Sequence, residues 1–344
     1  MSSINSASIR PHGKATQKAI PISAFGAIAL WSTVASAFKI SLRFLSPEFL
    51  LVISYTVSMV IFTIISLYTT GTSFLRGKKP KDILRHCAAG FLNPFLYYLV
   101  LFKAYSILPA AIAMSLNYSW PLFLAVALSL FKGKRLTPKD ISGLLTGFTG
   151  VLIIALSGKN ILSGIIFTVH SQDSHLLDLA ETFISSDYSK GIILALFSAL
   201  IWALSWILSI DASKTIDPSK TIDADTHIRE ESVSEAVTLF WNFLMAAPFM
   251  LFLLSGLQLQ IFPAAKVVVM AIYVGFAEMG LSFILWLRAL STSNNPAAVA
   301  NLANFTPFLS IFIISIFTME KITLLKFAGL AMIICGNIMQ TEKC

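Results

Sequence analysis

Charge is what this 344-residue sequence has least of: Asp, Glu, Lys and Arg together make up only 12% of it, against about 25% in soluble domains. That shortage excludes a soluble globular protein. Cysteine is scarcer still. Cys87, Cys335 and Cys344 are odd in number and lack a Cys-x-x-Cys spacing, which excludes a disulfide framework and a cysteine zinc site; they read as incidental thiols. The histidines, His12, His86, His170, His175 and His227, are read as lying in tails or loops. His170 and His175 stand near Asp173 and Asp178, but at no spacing that a metal site requires, so neither metal nor cofactor is expected. A phosphate-cradling loop is missing too, because Gly158-Lys159-Asn160 lacks the upstream glycine and the following Ser or Thr. Energy for any work across a membrane would therefore come from an ion or substrate gradient.

What is present is apolar length. Hydrophobic residues make up 56% and the mean hydropathy is +0.79; that share of 344 residues is about 193, and ten membrane helices of roughly 20 residues need about 200. Continuous apolar runs fall near 22–40, 48–70, 84–105, 109–131, 139–157, 189–210, 233–255, 264–290, 296–318 and 322–340. They are not the alternating strands of a membrane barrel. The 13 prolines and 17 glycines fit, since neighbouring helices re-satisfy the backbone groups that such residues free. The first run follows a basic tail (Arg10, Lys14, Lys18) and ends in Ala35-Ser36-Ala37, which imitates a cleaved signal peptide. It is read as a retained helix because it has a counterpart later in the chain.

The connections carry less. Gly158 to Ser189 holds a short apolar stretch, Ile161 to Val169, then polar residues; an interfacial segment and an extension of the fifth helix both suit it. After the sixth run comes a tandem hexapeptide, Ser213 to Pro218 and Ser219 to Ala224, which reads as a duplication in a solvated loop that tolerates insertion. Assigned to alternating sides, 17 of the 25 basic residues fall on the side of the two termini, among them Arg76, Lys78, Lys79, Lys134, Arg135 and Arg229. The positive-inside rule then makes both termini cytoplasmic and the number of spans even. The same distribution accounts for the net charge of +8 without nucleic acid.

The chain also resembles itself. A shift of 185 pairs Gly90-Phe91-Leu92-Asn93 with Gly275-Phe276-Ala277-Glu278, and a shift of 186 pairs Pro121 with Pro307, Gly143 with Gly329 and Gly150 with Gly336. The first run matches the sixth at a shift of 171, Leu30-Trp31 against Ile201-Trp202. An odd number of spans in each half makes the second half enter the membrane from the other side. The expected fold class is thus all-α integral membrane, with ten transmembrane helices in two inverted five-helix repeats. The organisation reads as a cytoplasmic tail (1–21), a first repeat (22–157), an external loop (158–188), a second repeat (189–340) with a cytoplasmic loop (211–232), and a C-terminal tail (341–344). Inverted repeats with interrupted helices point to a secondary transporter whose site lies near the midplane.

Candidate site residues are those that break the apolar pattern deep in the runs. Glu278 is the only acidic residue near the centre of any run; a charge there costs about 2.5–3.5 kcal/mol on insertion scales, which marks a functional residue. Arg288 lies roughly 15 Å further along the same helix at 1.5 Å per residue, too far to pair with it. Asn93, its repeat mate, is the neutral counterpart. Pro121 and Pro307, at matching positions, are expected to kink the fourth and ninth helices by freeing the carbonyls of Asn117 and Ala303. Around them cluster Asn117, Tyr118, Trp120, Asn301, Asn304, Phe305 and Thr306, with Asn301 and Asn304 on one helical face. Trp31, Ser32, Trp202, Trp206 and Asn242 complete the set, with Ser198, Ser205 and Ser209 on the same stripe of the sixth helix as Trp202. Amides beside rings suit a ligand with a polar head and a flat ring, and equally suit hydrogen bonding between helices.

The sequence resembles the drug/metabolite transporter superfamily, EamA type, in Leu30-Trp31-Ser32-Thr33, Asn117-Tyr118-Ser119-Trp120-Pro121, Phe305-Thr306-Pro307-Phe308-Leu309-Ser310 and Gly133-Lys134-Arg135-Leu136-Thr137, and within it the aromatic amino acid exporter branch. The resemblance covers roughly residues 20 to 340 and implies a central cavity worked by alternating access. One departure stands out: the usual Gly-Glu-Arg after the fourth helix reads Gly133-Lys134-Arg135, and the glutamate survives only at Glu320. The expectation is a multi-pass inner-membrane carrier, not an enzyme, of a small organic metabolite, amino-acid-like, with S-adenosylmethionine or nucleoside exchange as the alternative. Its partners would be the substrate, the lipid bilayer and a coupling ion or counter-substrate. A membrane enzyme and a channel are the rivals from other classes.

Overall fold

The computed structural model describes residues 21–75, 79–133, 136–157, 186–213, 224–256, 265–292, 299 and 302–341, and their regular structure is all helical. α1 is Ile22–Ser41 and α2 is Pro47–Thr70. α3 comes in two pieces, Pro80–Gly90 and Tyr97–Ile107, joined by a π turn over Phe91–Leu96. α4 is also divided, into Ala110–Asn117 and Trp120–Lys132. α5 is Pro138–Leu156, α6 is Asp187–Ser213 and α7 is Ala224–Gly256. α8 consists of Ala265–Val274 and Leu281–Thr292 around a second π turn, Gly275–Gly280. α9, Thr306–Thr318, follows a 3-10 turn at Ala303–Phe305, and α10 is Leu324–Thr341. Among the described residues eight helices are long and apolar enough to cross a membrane, and α9 and α10 are shorter apolar helices.

Helix starts follow local chemistry. The Ser46 hydroxyl accepts the Phe49 N–H at 3.2 Å ahead of Pro47, and Thr137 and Asp140 form a capping box ahead of Pro138, each meeting donors that the first turn leaves unpaired. The sequence places the start of α7 at 233, whereas the helix begins at Ala224 and takes in part of the expected loop 211–232. A search for apolar runs sees only the lipid-embedded part of a helix; a polar helical extension is invisible to it.

The exchange of halves that the repeat predicts is visible in the packing. A Cβ on Gly90 would lie 2.2 Å from the Asn242 carbonyl oxygen, and one on Gly275 would lie 2.5 Å from that of Ser54. Gly90 and Gly275 are repeat mates, so α3 meets α7 as α8 meets α2. Along α5 and α10, Gly150 approaches the Gly329 carbonyl and Gly336 that of Gly143, each at 2.5 Å from the Cβ position. Swapping each residue for its mate turns one contact into the other, the signature of an approximate two-fold axis through that interface. Small residues are what let membrane helices come this close. The outward faces carry exposed side chains such as Val60, Leu152, Ile316 and Phe317, an apolar girdle suited to lipid.

Candidate functional site

The π turns sit within one residue of the same place in the two repeats, the first directly after the close-packed Gly90 and the second starting at its mate Gly275. A π turn disturbs the helical ladder, and in the second turn side chains of α8 itself and of neighbouring helices bond its carbonyls. Ser58 of α2 donates to the Gly275 carbonyl at 2.9 Å, and Ser282 and the Trp31 indole donate to that of Glu278 at 2.6 and 3.4 Å. The second turn thereby holds Glu278 half-buried between the repeats. Its Oε1 accepts a hydrogen bond from the hydroxyl of Tyr98 at 3.2 Å, a tyrosine fully buried in α3. The carboxyl lies within electrostatic reach of Tyr97, Tyr105 and Tyr118 as well.

Around this group the rings touch in a chain. Trp31 packs on Trp286 and Phe283, with centroids 5.2 and 6.3 Å apart; Phe283 packs on Trp202 at 5.9 Å; Trp202 packs on Tyr97 at 4.6 Å, which meets Tyr98 at 4.6 Å. The chain crosses α1, α8, α6 and α3, two helices from each repeat. A polar thread runs beside it: the Tyr97 hydroxyl donates to Asn117 Oδ1 at 3.1 Å, and Asn117 Nδ2 donates to the Ser198 hydroxyl at 2.9 Å. Glu278, Trp31, Asn117, Tyr118 and Trp202, expected from the sequence, are thus brought together. Tyr97, Tyr98, Phe283 and Trp286 belong to the cluster without any signal in the sequence, since an aromatic in an apolar run carries no mark of facing inward.

Other expected residues are placed elsewhere. Pro121 and Pro307 do not kink continuous helices; each stands in the first turn of a new segment, where its missing N–H costs nothing, and the interruption lies before it, at Tyr118–Ser119 and Ala303–Phe305. Ser32 bonds the Ile28 carbonyl at 2.7 Å and the Thr306 carbonyl at 3.5 Å, tying α1 to the start of α9. Asn242 bonds His86 at 2.7 Å, and that histidine, expected in a loop, lies within the first piece of α3. Asn93, with φ −147° and ψ 115° inside the first π turn, does not bond Glu278. Asn304 is half-buried in the 3-10 turn, Phe305 is 61% exposed outside the ring chain, and Trp120, half-buried, opens the second piece of α4. Asn301 and the Trp206 side chain lie outside the described residues.

Comparison with known proteins decides the family. The model of the EamA-like transporter family matches residues 19–156 and 227–341, well over half of the chain. The chain belongs to the EamA-like transporter family. Twenty-two solved chains match its structure; one, titled only as the crystal structure of a protein, superposes with a TM-score of 0.60 at 20% identity, covering 94% of this chain and 98% of that one, which shows a shared fold. No curated protein matches the sequence. The EamA-like chain is therefore a multi-pass membrane protein that transports small molecules.

In this transporter the break in α4 has its own support. Asn337 of α10, almost fully buried, donates from Nδ2 to the Tyr118 carbonyl at 3.1 Å. Replacing Asn337 by leucine leaves that carbonyl unpaired, and we expect a loss of about 1 kcal/mol in stability, the scale of hydrogen bonds between membrane helices. Thermal melting in detergent checks it; an unchanged midpoint would show that Tyr118 does not depend on Asn337.

Proposed function

We propose that this protein is a secondary-active carrier, an exporter or exchanger, of an amino-acid-like metabolite, and that it works by alternating access of the two repeats around Glu278. The observation that carries the reading is the Glu278 carboxyl, held at an interrupted helix with Tyr98 as its hydrogen-bond donor and rings of both repeats alongside. A carboxylate beside aromatic faces attracts a cationic head group electrostatically and through the ring quadrupoles, while Asn117 offers amide chemistry for a carboxylate or a second polar group. An amino acid presents both. The length of the ring chain from Trp286 to Tyr98 favours a second reading, a larger substrate that joins a flat base to a cation, of the S-adenosylmethionine type.

Counterflow in proteoliposomes tests both readings. Vesicles loaded with unlabelled amino acids, nucleosides or S-adenosylmethionine should accumulate the labelled compound transiently when it is the substrate. Saturable overshoot with an amino acid supports the first reading and overshoot with S-adenosylmethionine alone the second. Equilibration without saturation or overshoot would identify a channel and refute the carrier mechanism.

A further inference from the structure

The charged side chains at the far end of α1, remote from the first described residue, form an arrangement that the ring cluster does not explain. The first piece of α4 starts after Pro109, whose side chain caps nothing, so the N–H groups of Ala110 and Ala111 begin the helix unpaired. Both are taken by Glu320, which lies between α9 and α10 in the other repeat: Oε1 accepts from Ala110 at 2.7 Å and Oε2 from Ala111 at 3.1 Å. A carboxylate there also meets the positive end of the helix dipole. Lys39 donates to the carbonyls of Tyr105 and Leu108, at 2.9 and 2.6 Å, where α3 ends, and Arg43 donates to that of Thr318, where α9 ends, at 3.4 Å. Lys39 also stands in the electrostatic reach of Glu320 and Arg43. Three charged side chains thus join the ends of α1, α3, α4 and α9 across both repeats.

Two further facts give the arrangement a direction. Ser32, Ser36 and Lys39 follow a spacing of four and three, one stripe of α1 leading from the ring cluster to this end, and Arg43 stands in the turn just after the helix. At the repeat shift of 186, Glu320 corresponds in the sequence to Lys134, so the two repeats differ in charge at this position.

We propose that Glu320, with Lys39 and Arg43, is a latch that closes this end of the bundle over the central cluster, and that its release opens the site to that side. The proposal rests on the carrier reading only for its place in a transport cycle. Glu320 also acts as a positioning residue, because the helix that it caps carries Asn117 seven residues further on, about 10 Å at 1.5 Å per residue.

Ser36 supplies the probe. It is buried, and its hydroxyl has no hydrogen-bond partner, so Ser36→Cys removes no contact. With the native cysteines replaced by serine, a membrane-impermeant maleimide is added on the face that carries residue 320, and the rate of Ser36→Cys modification is measured. We expect slow labelling with Glu320 present, about tenfold faster labelling with Glu320→Ala as the open population rises, and restoration of the slow rate by Glu320→Asp. Should Glu320→Ala not reach the membrane, Lys39→Met, which removes the two bonds to the end of α3, is read in the same way. Labelling that is equally fast or slow with and without these side chains overturns the latch. A parent protein that exchanges none of the tested substrates, but whose Ser36→Cys labelling still responds to Glu320→Ala, overturns the carrier reading and supports the latch.

Discussion

Glu278→Gln is expected to lower substrate counterflow at least about tenfold while leaving membrane insertion and thermal stability near those of the parent. The argument begins from cost. A carboxylate in the middle of a span is unfavourable by about 2.5–3.5 kcal/mol, and its only hydrogen bond among the described residues comes from the Tyr98 hydroxyl. Glutamine keeps the shape and can still accept that bond, so the fold has no reason to fail. What glutamine removes is the negative charge that a cationic substrate group, or a proton carried as the coupling ion, would meet. A tenfold change corresponds to about 1.4 kcal/mol, well within what a desolvated ion pair contributes. Tyr98→Phe, which removes the hydrogen bond but leaves the carboxyl, should have a smaller effect, about two- to fivefold, the worth of one hydrogen bond of roughly 0.5–1 kcal/mol. Unchanged counterflow in Glu278→Gln would remove this residue from the mechanism, and a larger effect from Tyr98→Phe than from Glu278→Gln would move the binding role to the tyrosine.

The architecture was largely legible in the sequence because two of its causes act on the chain directly. Lipid demands long apolar runs, and duplication leaves glycines and prolines at constant shifts: the pairing of Gly90 with Gly275 already marked the two positions where α3 and α8 turn π. Glu278 was legible for the same reason, as a residue that violates the lipid rule. Residues that obey it are hidden. Tyr98, Phe283 and Trp286 are as acceptable facing lipid as facing the site, and only the rotation of each helix, set by close packing at glycines, decides which way they point. Asn117 and Asn242 show the converse. Both are amides in apolar runs, yet one threads between Tyr97 and Ser198 and the other is taken up by His86. Composition marks them alike, and packing separates them. The prolines mark the neighbourhood of an interruption but not its kind, since Pro121 and Pro307 are as well suited to starting a helix as to bending one.

Gly90→Ala is expected to be the most destabilising glycine-to-alanine change among the described residues, and no truncation of a neighbouring side chain should relieve it. The added Cβ would stand 2.2 Å from the Asn242 carbonyl oxygen and 3.1 Å from the Ala246 nitrogen. Both are backbone atoms, so α3 and α7 must move apart, at a cost of about 3 kcal/mol, the upper end for overpacking. Gly147→Ala provides the contrast, because there the three atoms nearest the new methyl all belong to the Leu122 side chain, the closest at 2.6 Å. Leu122→Ala should therefore restore part of the stability lost in Gly147→Ala, and a double-mutant cycle should show a coupling of about 1 kcal/mol or more. Gly133→Ala sets the lower bound: with φ at 65° and no atom within 4 Å of the added carbon, it should cost only about 1 kcal/mol of backbone strain. Melting midpoints of the three variants in one detergent give the order directly, with Gly90 lowest and Gly133 highest. If Gly90→Ala melts like Gly133→Ala, α3 and α7 are not held in backbone contact. The first π turn, which begins one residue after Gly90 and leads into Tyr97 and Tyr98, would then owe its position to something else.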